Sequence, residues 1–232
     1  MFPTAKIALL LPSLCAGLLV AWTAPQTVAA KTSCRHDGAE PIVSLSVNPG
    51  KVRLHNGHSR SHLKYLQSKR KARSALGSQW QPVGLTLTEL QFSLRIRVNA
   101  IPTSRGRFCG QLDTVEATLG YDKLTVYVAR KYRPGSCHYR SILDHENLHV
   151  AVFRDTLRKY APRVEHRLRR AVRQMRPVLA NSADRAATRM RQNLQREIKP
   201  LFRQMNREMD LRNDRLDTPQ NYRQEQARCS NW

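Results

Sequence analysis

Acidic residues are scarce in this sequence. Its 232 residues include 17 Asp and Glu against 40 Lys and Arg, which gives a formal net charge of +23 at pH 7. This imbalance excludes a neutral surface and predicts attraction to anionic partners such as lipid head groups, envelope polymers or nucleic acid. Charge alone does not select among these partners.

Long apolar runs are also lacking beyond the first thirty residues, so we expect no transmembrane span in the mature chain. Residues 1–30 themselves are typical of a signal peptide. Lys6 precedes an apolar run over residues 7–22, and Val28-Ala29-Ala30 offers the small residues of a cleavage site. We therefore expect an exported protein, periplasmic or secreted, whose anionic partners are envelope polymers or lipid head groups rather than nucleic acid.

Closely spaced cysteine pairs are absent, which argues against a zinc site built from thiolates. Removal of the signal peptide removes Cys15 and leaves four cysteines: Cys34, Cys109, Cys137 and Cys229. An even number of cysteines in an exported chain indicates two disulfides, with three alternative pairings. We favour Cys109–Cys137, which joins the start of a predicted hairpin to the start of a predicted helix, and Cys34–Cys229, which joins the two ends.

The chain from residue 41 begins with a pattern typical of a short strand. Val43, Leu45 and Val47 alternate with serines, which indicates a half-buried strand. Asn48-Pro49-Gly50 has the composition of a turn and is expected to end this strand. Residues 51–80 are basic and weakly periodic, so we interpret them as a loop with one short helix at most. The loop contains three histidines that we expect to be solvated rather than metal-bound: His55, His58 and His62.

Two further stretches complete a predicted antiparallel sheet. Alternation over residues 90–98 predicts a strand, and residues 115–128 predict a hairpin that turns at Gly120-Tyr121-Asp122. Residues 137–160 contain neither Gly nor Pro, so we expect a helix there, capped by Ser136. The predicted fold class is therefore α+β, a short antiparallel sheet followed by this helix. The last strand is expected to lie at the sheet edge, where an extended peptide could pair with it.

The sequence after residue 160 is helical and rich in arginine. Apolar stripes at helical spacing predict helices that pack on the core. We expect these helices to be interrupted at prolines. The prolines in this region are Pro162, Pro177, Pro200 and Pro219. We therefore divide the mature chain into a core over residues 31–160 and a long Arg-rich helical region over residues 161–232. The arginines form either a solvated face or a surface that binds polyanions.

The segment His145-Glu146-Asn147-Leu148-His149 carries the clearest chemistry. A helix with H-E-x-x-H places both histidines on one face, one turn apart. Two neutral imidazoles at that separation can bind one Zn²⁺, and the glutamate can then deprotonate the metal-bound water. His145 and His149 are therefore the predicted metal ligands, and Glu146 is the predicted catalytic base. The competing interpretation is an ordinary amphipathic helix that contains two incidental histidines.

The stretch Ile142-Leu143-Asp144-His145-Glu146-Asn147-Leu148-His149-Val150-Ala151 resembles the zincin metallopeptidases. The wider pattern of a sheet before this helix, over residues 83–160, is similar to that of small exported bacterial zincin-like proteins. The resemblance implies a site for one Zn²⁺ ion, hydrolysis of peptide bonds in a protein or peptide substrate, and a sheet edge that holds this substrate.

The sequence does not identify the third protein ligand of the zinc ion. Asp155 has the spacing of the third ligand in one zincin branch, but Val152 occupies the place where that branch needs a glycine to turn the chain. Glu165, by analogy with a second branch, would need a helix to return within a few residues. Candidates farther along the chain are Asp210, Asp217 and Glu225. Tyr222 beside them is either a packed tail residue or a hydrogen-bond donor to an oxyanion.

Two functions follow from these observations. The first is an exported zinc-dependent peptidase in which Glu146 is the general base. The second is a basic protein that binds envelope polymers or other polyanions, with a structural or vestigial metal site. The motif and its apolar flanks favour the peptidase, whereas the arginine excess favours the binding protein.

Overall fold

The computed structural model of the chain describes residue 34 and residues 40–69, 81–103 and 105–232. These residues form a mixed α+β fold with four helices and a four-stranded sheet. The elements, in chain order, are β1 (Ile42–His55), α1 (Arg60–Lys69), β2 (Gly84–Pro102), β3 (Phe108–Val128), α2 (Cys137–Gln174), β4 (Val178–Ala180), α3 (Ala183–Leu216) and α4 (Pro219–Gln226). The predicted signal peptide, residues 1–30, lies outside the described residues. Of the helices described, none combines the length and apolarity that a membrane span requires.

The sheet is mixed rather than antiparallel, so that part of the prediction was wrong. β2 pairs antiparallel with β3, whereas β1 pairs parallel with β3 on its other side. The parallel pairing is sterically allowed because α1 and β2 form a long connection between β1 and β3. The predicted edge strand was also wrong, since β3 lies at the centre of the order β1-β3-β2 and β2 is an edge.

β3 is a single strand of 21 residues, not a hairpin that turns at Gly120. Gly120 lies in the strand with a φ of 145°, and a Cβ added there would overlap the Asn48 backbone. This glycine therefore permits a close approach between two strands. β1 likewise continues past Asn48-Pro49-Gly50 to His55, because a proline is tolerated on an edge strand.

α2 is a helix of 38 residues that passes through Pro162, where we predicted an interruption. A proline inside a helix costs about 3 kcal/mol. Tyr160 and Leu168 on either side of it are fully buried, and burial of such side chains offsets that cost. α3 runs through Pro200 in the same way, whereas Pro219 begins α4 as expected.

The larger of two hydrophobic clusters lies between one face of the sheet and the two long helices, and the smaller one surrounds Leu63 of α1. Val115 and Leu119 of β3 are buried on this face, whereas Glu116 between them points outward and is exposed. The core also includes Leu157 of α2 and Leu194 of α3. The predicted boundary between residues 160 and 161 falls inside α2, and residues on both sides of it share this core.

The two disulfides are Cys34–Cys109 and Cys137–Cys229. The predicted pairs, Cys109–Cys137 and Cys34–Cys229, were wrong. Cys109 lies at the start of β3 and Cys137 follows its end, so roughly 60 Å of extended strand lies between them. The hairpin that we predicted would have brought these two cysteines together, which one continuous strand cannot do. The presence of two disulfides is confirmed.

Candidate metal centre

α2 turns three ionisable side chains toward the interior. His145, Glu146 and His149 are 4%, 4% and 8% exposed, respectively. Burial of three such groups side by side is unfavourable unless they are hydrogen-bonded, paired with opposite charge or bound to a metal. The partners of each group therefore decide what the site can do.

α3 lies antiparallel to α2, and this packing brings its C-terminal end to the two histidines. Lys159 Nζ contacts Glu208 Oε1 at 2.7 Å, and farther along α3 Asn213 Oδ1 lies 2.8 Å from His149 Nδ1. Residues later in α3 therefore contact residues earlier in α2. Asp217, the residue that follows the last turn of α3, consequently reaches the site.

Three ligand atoms meet between α2 and the end of α3. Asp217 Oδ1 lies 3.1 Å from His145 Nε2 and 3.2 Å from His149 Nε2, and the two Nε2 atoms are 3.1 Å apart. All three atoms lie within 4.8 Å of one another. Two imidazole nitrogens and one carboxylate oxygen are donor types that bind Zn²⁺ in catalytic sites with three protein ligands.

The second ring nitrogen of each histidine is engaged by an acceptor. His145 Nδ1 lies 2.7 Å from Glu225 Oε1, and His149 Nδ1 lies 2.8 Å from Asn213 Oδ1. Because both partners accept hydrogen bonds, both Nδ1 atoms carry the proton, and the Nε2 atoms of the neutral rings carry lone pairs. Such outer partners fix the tautomer and the orientation of histidine ligands.

The lone pairs of the two Nε2 atoms therefore converge on a carboxylate oxygen, an arrangement that needs positive charge at its centre. Protons can supply this charge: burial lowers the pKa of His145, but the hydrogen bonds to Asp217 and Glu225 outweigh it and raise the pKa to about 10. Burial likewise lowers the pKa of His149, and its hydrogen bond to Asp217 raises it overall. Burial raises the pKa of Asp217, but the two histidines bring it well below its usual range. A divalent cation supplies the same charge, so the donor set fits a metal ion.

Glu146 points toward β2, where one residue of the strand hydrogen-bonds to it and another leaves space for it. Thr86 Oγ1 donates a hydrogen bond of 2.6 Å to Glu146 Oε2. Gly84 leaves room for the carboxylate, because a Cβ at that position would overlap Glu146 Oε1. Burial raises the pKa of Glu146, although the nearby charges of His149 and His145 oppose this shift. A raised pKa makes the carboxylate a better proton acceptor for general base catalysis.

α4 places Tyr222 against the ligand atoms. Its hydroxyl donates a hydrogen bond of 2.7 Å to Asp217 Oδ1 and lies 3.5 Å from His145 Nε2. Burial and the charge of Asp217 raise the pKa of Tyr222, so the hydroxyl stays protonated at neutral pH. The Cys137–Cys229 disulfide ties the segment after α4 to the first residue of α2.

The structure distinguishes among the five carboxylates that the sequence offered as the third zinc ligand. Asp217 faces both Nε2 atoms, and Glu225 hydrogen-bonds to the opposite side of one histidine ring. The remaining candidates pair with arginines or face solvent, and they are Asp155, Glu165 and Asp210. Of these candidates, Asp217 therefore has the geometry of a ligand.

Sequence reasoning missed three residues of the site, namely Asn213, Thr86 and Gly84. Asn213 precedes Asp217 by four residues, a spacing that matches the two histidines on α2 and could have been found. No sequence pattern linked Thr86 and Gly84 to the site, because the strand was predicted to begin only at residue 90. Comparison of the chain with known protein families, with curated proteins and with solved structures gives no match.

Proposed function

We propose that the protein is an exported zinc-dependent peptidase of the zincin type, with one Zn²⁺ held by His145, His149 and Asp217. The observation that carries this proposal is the convergence of three acceptor atoms within 4.8 Å. Glu225 and Asn213 support it, because they hold the two histidines in the tautomer that a metal requires. Export is supported by the two disulfides, which are typical of oxidising compartments.

Zn²⁺ at this position would lower the pKa of a coordinated water and polarise a peptide carbonyl. Glu146 is proposed to accept the proton of the attacking water and to pass it to the amide nitrogen of the leaving peptide. The hydrogen bond from Thr86 orients the Glu146 carboxylate for both transfers. The raised pKa of Glu146 favours its role as the acceptor.

Tyr222 is proposed to stabilise the negative charge that develops on the carbonyl oxygen. Its hydroxyl lies beside the ligand atoms and now donates to Asp217. A small rotation of this O–H toward the substrate would place a donor where the oxyanion forms. Asp217 keeps part of its side chain exposed, 26% against 4% for His145, so we infer that substrate approaches from the Asp217 side.

β2 is the proposed platform for an extended substrate. It is an edge strand of the sheet, and its residue Thr86 contacts Glu146. A peptide paired along this edge by main-chain hydrogen bonds would pass the site in an extended conformation. The substrate class is accordingly a protein or peptide with an unfolded segment.

Metal analysis and a cleavage assay on the same preparations test this proposal. Wild type is expected to retain about one zinc per chain, whereas His145→Ala and Asp217→Ala are expected to lose it. Glu146→Gln should keep the zinc and fail to cleave an unfolded protein such as reduced casein. Glu165→Gln on the outer part of α2 is the matched control and should behave as wild type. Zinc-free wild type, or cleavage that survives Glu146→Gln, contradicts the proposal.

A second candidate function is binding of anionic envelope polymers or lipid head groups. It is favoured by the many exposed arginines of α2 and α3, which include Arg163, Arg170, Arg173, Arg185, Arg191, Arg203 and Arg207. Binding of the Glu146→Gln protein to vesicles with anionic head groups should then weaken steeply as salt rises. Binding that is absent or insensitive to salt contradicts this second function.

A further inference from the structure

Three histidines lie close together where β1 leads into α1. We call this group the histidine cluster, and it consists of His55, His58 and His62. The ring centroids of His58 and His62 are 4.5 Å apart with an angle of 16° between the planes, and those of His55 and His58 are 6.3 Å apart. We predicted solvated histidines in a loop, but the structure brings the three rings together.

The backbone around the histidine cluster is held firmly. The side-chain amide of Asn56 donates to the carbonyl oxygens of Val128, Ala129 and Tyr132, which anchors the turn between β1 and α1. His62 lies in the first turn of α1, one residue before the fully buried Leu63. The positions from which the three rings project are therefore fixed, and the side chains of His55 and His62 are exposed.

The histidine cluster lies on the opposite face of the sheet from the candidate metal centre. In the parallel register, His55 pairs with Tyr127, whose ring lies 5.4 Å from that of His55 and 5.5 Å from that of His58. Successive residues of a strand point to opposite faces, and Val126 points into the core beneath α2. An ion bound by the cluster would consequently be separate from one bound by His145 and His149.

Within the histidine cluster and its surroundings, the ring of His58 stacks on that of His62, and the ring of His55 stacks on that of Tyr127. Within the parts of the chain that the structure describes, none of the three rings donates or accepts a hydrogen bond or pairs with a carboxylate. Burial, followed by the charges of His62 and His55, lowers the pKa of His58 and keeps its ring neutral at pH 7. Imidazole nitrogens that have no other partner are ligands for borderline divalent metals, not for Mg²⁺ or Ca²⁺.

We propose that His55, His58 and His62 form a second binding site for a divalent transition metal, with water completing the coordination. A donor set of imidazole nitrogens follows the usual affinity order of these metals, so Cu²⁺ is expected to bind more tightly than Zn²⁺. The site is independent of the proposed peptidase activity. It is a surface site, because two of its three rings are exposed.

Copper binding to the zinc-loaded full chain tests this site. Equilibrium dialysis against CuCl₂ with metal analysis is expected to give one additional metal equivalent for wild type. His58→Ala and His62→Ala should each lose that equivalent, whereas His166→Ala, which removes a lone exposed histidine of α2, should retain it. The electron paramagnetic resonance spectrum of the bound Cu²⁺ is expected to show coupling to imidazole nitrogen in wild type.

A variant that lacks the candidate metal centre on α2 distinguishes copper binding at the histidine cluster from metal binding at that centre. A His145→Ala/His149→Ala double variant should lose the zinc and still bind one Cu²⁺ with the same nitrogen coupling. The proposal is overturned if wild type takes up no additional equivalent. It is equally overturned if His58→Ala and His62→Ala both bind as much copper as wild type, while circular dichroism shows that they are folded.

Discussion

Replacement of Glu225 by alanine removes the acceptor of the His145 Nδ1 hydrogen bond, a contact of 2.7 Å on the side of the ring that faces away from the metal position. A hydrogen bond to a charged group contributes about 1.5–3 kcal/mol. In the variant, His145 loses both its orientation and the negative charge that makes Nε2 a stronger donor. Loss of such an outer partner weakens metal binding by about 10- to 100-fold, and we expect the zinc Kd to rise by that factor.

A graded series sharpens this prediction. Glu225→Gln keeps an acceptor oxygen but removes the charge, so its zinc Kd is expected to lie between those of wild type and Glu225→Ala. Asp217→Ala removes a proposed ligand and is expected to weaken zinc binding more than either. Glu197→Ala is the matched control, because Glu197 is another carboxylate from the same half of the chain, 55% exposed and 3.6 Å from Arg167.

The assay is a competition titration with a chromophoric zinc chelator, at one pH and one salt concentration. Circular dichroism and a thiol count would first show that each variant is folded with its disulfides intact. If Glu225→Ala binds zinc like wild type, the carboxylate does not orient His145, and the reasoning from its 2.7 Å contact is refuted. If Asp217→Ala also binds zinc like wild type, the proposed ligand set is wrong.

Three further predictions concern the neighbourhood of the centre. Gly84→Ala places a Cβ against Glu146 Oε1 and should abolish peptide cleavage while zinc content stays unchanged; full activity would contradict the packing. Replacement of Cys137 and Cys229 by serine removes a crosslink that contributes about 2–4 kcal/mol, so the urea midpoint should fall, and an unchanged midpoint would contradict this. His145 in the metal-free fold has a pKa raised from 6.5 to about 10, so its charge stabilises the fold fully below pH 6.5 and that contribution is lost as the pH rises toward 10. The melting temperature of the protein in chelator should therefore fall from pH 6.5 to pH 10 by more than that of His145→Ala, and equal falls would contradict the pKa shift.

The parts of the site that depend on local spacing were readable from the sequence. The absence of Gly and Pro over residues 137–160 indicated that His145, Glu146 and His149 belong to one helix, and all three lie on α2. The position of Asp217 depends instead on the antiparallel packing of α2 and α3, which brings it to histidines that lie 68 and 72 positions earlier in the chain. No local pattern encodes that register, so the sequence could only name Asp217 among several carboxylates.

The errors in the fold have a common physical cause. Gly120 and Pro162 were interpreted as a turn and as a helix end, which are the usual roles of these residue types. In the structure Gly120 accommodates the neighbouring β1 backbone, and Pro162 lies in a helix whose buried residues hold it in place. Tertiary packing thus overrode local preference at both positions. The wrong disulfide pairs followed directly from the hairpin that Gly120 suggested.

The Cys137–Cys229 disulfide closes a covalent ring around the candidate metal centre. The cysteines are 92 residues apart, and the ring they close contains both histidines, Glu146, Asp217, Tyr222 and Glu225. A single cut in the connection between α2 and α3 would therefore open the ring without releasing either half of the centre. The two fragments would still meet at the effective concentration of one molecule. The candidate metal centre would in this way stay assembled after a nick in the chain that forms it.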